Sequence, residues 1–136
     1  MENKMFCFQC QETAGCKGCT ICGVCGKKPE VAAMQDLLVF ATKGLSAVTT
    51  RLRAEGKAVP AEVNHLVTVN LFITITNANF DREAIVRAIV HTLEVKRGLL
   101  TQLADAAALP GTATWDAPQA EFDAKAATVG VLSTAN

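Results

Sequence analysis

The sequence has no tyrosine and a single tryptophan, and aromatic residues make up only 5% of its 136 positions. It also has no excess charge, because 13 basic residues balance 13 acidic ones. A balanced chain offers no basic surface that would favour nucleic acid as a partner. Half of the residues are hydrophobic and many of these are alanine. This composition favours packed helices over sheets.

Long hydrophobic runs are also missing. The apolar stretches are broken by polar residues well short of the ~20 needed to cross a bilayer, so we expect no transmembrane helix and no membrane partner. The first residues, Met1 to Met5, lack the apolar core of a secretory signal. We therefore expect a cytoplasmic protein whose thiols are reduced.

Cysteine, by contrast, is concentrated at one end of the chain. All six cysteines lie within nineteen residues, at positions 7, 10, 16, 19, 22 and 25, with glycines at 15, 18, 23 and 26 among them. Disulfides stabilise more when they close long loops, which makes a disulfide framework here a poor explanation. Glycine lets the backbone bring N–H groups close to sulfur. The segment indicates a loop wrapped around a metal centre.

The spacing favours an iron–sulfur cluster and leaves zinc as the alternative. Zinc sites also use paired C-x₂-C units, but the two pairs are commonly a dozen or more residues apart, whereas the gaps here are shorter. A cluster held by four thiolates is anionic, so nearby Lys17, Lys27 and Lys28 are electrostatically suitable. The same lysines are equally consistent with an ordinary solvated surface.

Six cysteines exceed the four that one cluster needs, and spacing leaves two ligand sets open. One is Cys16, Cys19, Cys22 and Cys25, a C-x₂-C-x₂-C-x₂-C run close to a ferredoxin pattern. It differs from that pattern in its last gap and in lacking the proline that follows. The other is Cys7, Cys10, Cys19 and Cys25, spaced C-x₂-C-x₈-C-x₅-C.

After the loop, apolar residues recur at steps of three and four and predict a long amphipathic helix over 30–54, preceded by Pro29 and ended near Gly56. Residues 61–76 alternate β-branched and polar side chains, which taken alone is typical of a strand. A single strand would lack a pairing partner elsewhere in the chain. We therefore interpret this stretch as a buried helix.

Asp81 is a good N-cap for a third helix, whose apolar face runs from Ile85 to Ala107 and which Pro110 ends. Lys96 lies within this face, and we expect it at the edge with its charged end in water. A loop over 112–120 precedes a short fourth helix from Pro118 to about 127. The fold predicted is all-α, an up-down-up three-helix bundle over 29–136 with the cysteine-rich loop of 1–28 packed at one end as part of the same domain.

The sequence around the cysteines resembles the N-terminus of the hybrid-cluster proteins, also called hydroxylamine reductases or prismane proteins. The resemblance rests on 5-MFCFQCQETA-14, on 18-GCT-20 and on 23-GVCGK-27. It continues through Lys43-Gly44-Leu45, 72-FITITNANF-80 and 113-ATW-115. It covers nearly the whole chain, and 5–14 favours this branch over the related carbon monoxide dehydrogenases.

The resemblance implies that Cys7, Cys10, Cys19 and Cys25 bind a cubane [4Fe–4S] cluster, with Cys16 and Cys22 as alternates outside the expected set. It also implies a three-helix bundle, which supports a helix over 61–76. A subgroup with longer cysteine gaps and a [2Fe–2S] cluster does not fit this spacing.

Family members are several times longer, and their hybrid cluster, where nitrogen oxides are reduced, is bound by later domains. The resemblance implies that the full enzyme reduces hydroxylamine to ammonia in vitro and nitric oxide to nitrous oxide in the cell. This chain would accept electrons from a redox partner protein and relay them to those remaining domains or to a partner chain. His65 and His91 have no ligand at suitable spacing and are interpreted as ordinary helix residues, so no catalytic residue is predicted. Two alternatives are a zinc-stapled helical module and a redox or iron sensor using Cys16 and Cys22.

Overall fold

A computed structural model describes residues 4–8, 10, 13–75, 81–104 and 109–129. Over these ranges the chain forms five α-helices: α1 (Pro29–Ala54), α2 (Ala61–Ile73), α3 (Arg82–Leu100), α4 (Gly111–Thr114) and α5 (Phe122–Val129). Short 3₁₀ turns occupy Ala14–Cys16 and Gln119–Glu121. No strand forms within the described ranges, only one isolated antiparallel bridge between Cys7 and Cys19. The all-α class is confirmed.

Helix α1 is the centre of the fold and packs against α2, α3, α4 and α5. Pro29 begins it, where a missing N–H is tolerated. Gly56 follows its end with φ +77°, and the amide of Lys57 returns to the carbonyl of Leu52 at 2.9 Å, a glycine-based helix ending. The predicted helix over 30–54 is confirmed.

By length and composition alone, α1 could also cross a membrane, although the sequence predicts no transmembrane helix. In the fold, 61% of its most apolar stretch is buried against the other helices. A core helix at the centre of a globular fold passes the same test of length and composition, so this property is weak evidence for a membrane span.

Helix α2 confirms the helical interpretation but not the expected burial. Within it only Val63 and Asn70 are buried. Four large apolar side chains in or just after it are exposed: Val69, Leu71, Phe72 and Ile75. Because α2 is apolar around most of its circumference, the sequence pattern could not show that only a narrow side meets α1 and α3. Residue 76 lies outside the described residues.

Asn70 makes polar contacts that join this side of α2 to α1 and α3. Its side-chain Nδ2 donates to the Thr42 hydroxyl on α1 at 3.2 Å and to the Thr92 hydroxyl on α3 at 2.7 Å. Both hydroxyls already donate to carbonyls of their own helices, Leu38 and Ala88. They are therefore available to Asn70 only as acceptors, which sets the orientation of its amide.

Helix α3 begins as predicted, with the Asp81 carboxylate accepting from the amide of Glu83 at 3.0 Å. It ends at Leu100, and the predicted continuation to Ala107 falls partly outside the described residues. The expectation that Lys96 reaches water is wrong, because its side chain is fully buried. Its ammonium group donates instead to the carbonyl oxygen of Trp115, so the α4–α5 connection covers it.

The last helices close the two ends of the core along α1. Near one end, Phe122 and Ala126 of α5 join an apolar cluster with residues of α1 and α3. Toward the other end, Ala113 of α4 joins a cluster that includes Leu45 and Leu99. The predicted loop over 112–120 is thus partly helical, since α4 overlaps it, and the fourth predicted helix corresponds to the 3₁₀ turn after Pro118 followed by α5.

Candidate metal centre

Cys7 and Cys19 face each other across the only β-bridge in the described part of the chain. The Cys7 amide donates to the Cys19 carbonyl at 3.0 Å, and the Cys19 amide donates back to Cys7 at 2.8 Å. Residues directly opposite in such an antiparallel pair project their side chains to the same face. The backbone therefore holds these two thiols side by side although they are twelve positions apart in sequence.

The Cys19 thiol is buried among hydrogen-bond donors. The backbone N–H of Ala14 donates to its Sγ at 3.4 Å, and the Thr13 hydroxyl lies 3.7 Å from the same atom while donating to the Cys7 carbonyl at 3.0 Å. Backbone N–H groups, first that of Ala14 and then that of Val24, lower the pKa of Cys19, and burial only partly opposes them. Donors that stabilise the charged form favour a thiolate at this position.

Lys27 brings a positive charge to the other thiol of the pair. Its side chain is only 1% exposed, and its Nζ donates to Cys7 Sγ at 3.3 Å. The Lys27 charge also contributes to lowering the pKa of Cys19. Neighbouring Lys17 and Lys28 are exposed. The structure thus distinguishes three lysines that the sequence left equivalent.

At two glycines the loop around Cys7 and Cys19 packs too closely to leave room for a side chain. Gly18 has φ +138°, and a Cβ there would lie 2.8 Å from the ring of Phe6. A Cβ on Gly23 would lie 2.9 Å from Cβ of Lys27 and 3.1 Å from Cys25 Sγ. The Gly23 amide also donates to the Lys27 carbonyl at 2.7 Å. A side chain at either position would displace neighbours of the cysteines.

The six cysteines differ in exposure. Cys19 is buried and Cys7, Cys10 and Cys25 are partly buried, whereas Cys16 and Cys22 are exposed. Cys16 also adopts φ +58°, which is uncommon for a residue other than glycine. Within the described residues no three His, Cys, Asp or Glu side chains converge closely enough to hold a metal ion. The structure therefore pairs Cys7 with Cys19, and the full ligand set stays a prediction.

Other candidate ligands do not join the loop. His65 lies on α2 and His91 on α3, and both are exposed. Sequence reasoning named Lys27 without distinguishing it from its neighbours and did not identify Thr13. No local signal in the sequence would have found Thr13, since its role depends on the bridge that brings Cys7 to Cys19.

The donor set fits a thiolate-ligated, anionic centre. Backbone N–H groups and a buried ammonium group face sulfur, and both stabilise negative charge there. A neutral thiol cluster would leave the Lys27 ammonium buried without a compensating charge within the described residues.

Comparison with known proteins gives a consistent match. The sequence pattern of the Prismane/CO dehydrogenase family matches residues 5–134. The chain is 53% identical over 135 residues to hydroxylamine reductase of Desulfovibrio desulfuricans, covering 98% of this chain and 25% of that protein. It is 50% identical to hydroxylamine reductase of Clostridium perfringens, covering 97% of this chain and 25% of the other, and 48% identical to that of Bacteroides fragilis, covering 97% and 24%. The chain spans about a quarter of the length of these curated relatives.

Proposed function

This chain belongs to the Prismane/CO dehydrogenase family, and on that basis we propose that it is the electron-transfer domain of a hydroxylamine reductase-type protein. It binds a [4Fe–4S] cluster through Cys7, Cys10, Cys19 and Cys25. Electrons come from a redox partner protein and pass to a hybrid cluster in domains that these residues do not include. The chain would thus take part in the hydroxylamine reduction for which its relatives are named.

The observation that carries the proposal is the electrostatic environment of the Cys7–Cys19 pair. Both thiols lie side by side on the bridge, with a buried ammonium group at one and N–H donors at the other. The exposure of the cysteines supports the ligand set, since the four proposed ligands are the four less exposed ones. Cys16 and Cys22 point to solvent and are left outside the set.

When bound, the cluster would supply one-electron transfer. Cys7 and Cys19 are held in place by the bridge, and Cys25 lies in the turn fixed by Gly23. Hydrogen bonds to its sulfur and the Lys27 charge lower the pKa of Cys19 and favour its thiolate form. Metal binding and folding of such a loop are coupled, so we expect the remaining thiols to converge only as the cluster is bound.

The exposed apolar surface of α2 supports the idea that this chain is part of a larger protein. Leu71 and Phe72 are 46% and 62% exposed, next to Val69 and Ile75 on the same helix end. An exposed group of large apolar side chains marks an interaction site more often than isolated ones do. Because the relatives are about four times longer, we propose that their remaining domains, in the same polypeptide or as a partner chain, cover this surface.

The test is anaerobic reconstitution with iron and sulfide, followed by iron and sulfide analysis and EPR of the dithionite-reduced protein. Three proteins are compared: wild type, Cys10→Ser, and the double variant Cys16→Ser/Cys22→Ser. We expect about four irons per chain and an S = 1/2 signal in the wild type. The double variant should keep both, and Cys10→Ser should lose or alter them.

Two results would contradict the proposal. One zinc per chain without sulfide would make the loop a structural zinc site instead. A signal retained in Cys10→Ser but lost in the double variant would transfer the ligand set to Cys16, Cys19, Cys22 and Cys25.

A further inference from the structure

Lys27 is buried in a place where a positive charge is costly. Its side chain is 1% exposed, and within the described residues no carboxylate lies close enough to form an ion pair with it. An ammonium group removed from water without a counter-charge is strongly destabilising. The cost has to be offset by a negative group nearby.

The Lys27 backbone lies close to the start of α1. Lys27 lies two residues before Pro29, the first residue of α1. The N-terminus of a helix carries a partial positive charge, which repels a cation and attracts an anion. The Lys27 side chain carries its ammonium group from this point of the backbone to Cys7 Sγ, which it contacts at 3.3 Å.

The local backbone holds this ammonium group in place. The Lys27 carbonyl accepts from the Gly23 amide at 2.7 Å, and the Gly26 amide donates to Gly23 at 2.9 Å, closing a tight turn. The absence of a side chain at Gly23 leaves room for the Lys27 stem, since a Cβ there would lie 2.9 Å away. The side chain then reaches Cys7 Sγ at 3.3 Å.

We propose that Lys27 is the charge-compensating residue of the cysteine loop: its ammonium group, in contact with Cys7 Sγ, offsets the negative charge of a cluster bound there and raises the reduction potential of that cluster. This inference rests on the proposed function. A fixed positive charge beside an anionic cluster favours the state with one more electron. Lys27 acts on the cluster through its ligand and is a positioning and tuning residue, not a catalytic one.

The test is the midpoint potential of the reconstituted cluster, measured by EPR-monitored redox titration in three Lys27 variants. Lys27→Met removes the charge and keeps the length of the stem. Lys27→Gln keeps a hydrogen-bond donor without charge, and Lys27→Arg keeps the charge. Lys28→Met is the matched control, because Lys28 is adjacent in sequence but exposed.

We expect Lys27→Met and Lys27→Gln to shift the potential to more negative values, while Lys27→Arg and Lys28→Met stay near the wild type. Faster loss of iron from the Met and Gln variants than from the Arg variant would support the same role. If circular dichroism shows that Lys27→Met does not fold, the midpoint potentials of Lys27→Gln and Lys27→Arg are compared instead, since these two variants differ in charge.

A wild-type potential in Lys27→Gln would show that a hydrogen bond suffices and would overturn charge compensation. An equal shift in Lys28→Met would overturn it too, because the effect would then be general surface charge. Absence of any iron–sulfur cluster in the wild type is a different result, which refutes the proposed function and not merely the role of Lys27.

Discussion

Lys96, fully buried on α3, donates a hydrogen bond from its Nζ to the backbone carbonyl oxygen of Trp115. This contact joins α3 to the connection between α4 and α5. The Trp115 ring in turn packs against Phe40 at 5.8 Å and Phe122 at 6.0 Å between ring centroids. The buried Lys96 side chain thus holds in place the α4–α5 connection, which in turn covers Lys96.

The same burial predicts a pH dependence of stability. Burial lowers the pKa of Lys96, with Asp116 opposing this shift and Arg97 adding to it. Above the folded-state pKa and below the ordinary value of about 10.4, the unfolded chain binds more protons than the folded one. In that window the free energy of unfolding therefore rises with pH, by at most about 1.4 kcal/mol per unit.

We expect the free energy of unfolding of the wild type to rise relative to that of Lys96→Met as the pH increases from 7 toward about 10. Urea unfolding at a series of pH values measures the difference. Lys43→Met, which replaces an exposed lysine on α1, is the control and should not show this trend. Parallel pH profiles for wild type and Lys96→Met would refute the prediction.

Gly44 and Gly98 both lie within helices, and replacing each by alanine should have opposite effects on the stability of the fold. A Cβ on Gly44 would lie 2.9 Å from the carbonyl carbon of Thr112 and closer still to its oxygen, so α4 would be displaced from α1. A Cβ on Gly98 would meet nothing within 4 Å. We expect Gly44→Ala to destabilise the fold by about 1–3 kcal/mol and Gly98→Ala to stabilise it by about 0.5–1 kcal/mol. Thermal unfolding of both variants measures these changes in stability. A Gly44→Ala variant more stable than the wild type would mean that α4 does not pack against α1 as described.

Asn70 should contribute more to stability than an exposed asparagine on the same helix. Asn70→Ala leaves Thr42 and Thr92 without their shared donor and opens a small cavity between three helices. We expect a loss of about 1–3 kcal/mol in the free energy of unfolding. Asn64→Ala, which removes an exposed contact with Arg53, should change it by less than about 0.5 kcal/mol. Equal effects in the two variants would argue against the buried polar contact.

The exposed side of α2 should bind the rest of a family protein without contributing to the stability of this chain. We expect Leu71→Ser/Phe72→Ser to change the free energy of unfolding by less than about 0.5 kcal/mol. The double variant should nevertheless lose binding to the remaining three quarters of the Desulfovibrio desulfuricans relative, measured by calorimetry against the wild-type chain.

Two outcomes would count against this surface. Undiminished binding by the double variant would place the interface elsewhere. Self-association of the wild-type chain through Leu71 and Phe72, without any binding of the relative's domains, would make the surface a contact between copies.

Local patterns predicted the helices well where periodicity and end signals agreed. Pro29, Gly56 and the Asp81 cap each marked a boundary that the structure confirms, because capping depends on residues only a few positions apart. The helical state of α2 followed from the lack of a pairing partner for a strand. Its exposure did not follow, because an apolar helix carries no sequence signal of how many neighbours surround it.

Long-range contacts were the part that the sequence could not show. The apolar face of α3 placed Lys96 near the core. Its ammonium group stays buried because the distant residue Trp115 supplies a carbonyl acceptor for it, a contact that no local sequence pattern shows. Lys27 and Lys28 are adjacent and chemically identical, and the turn at Gly23 buries one and exposes the other. At the cysteines, spacing alone left two ligand sets, and the structure adds the pairing of Cys7 with Cys19.

The central place of α1 has a consequence for the protein during its synthesis. This 26-residue helix leaves the ribosome before α3, α4 and α5, which supply much of its covering surface. Until they emerge, the apolar side chains of this helix have no partners to cover them, and exposed hydrophobic surface makes an incompletely folded chain prone to aggregation. The burial of α1 thus depends on segments as far along the chain as α5, and a chain that lacked them would expose the apolar side chains that they cover.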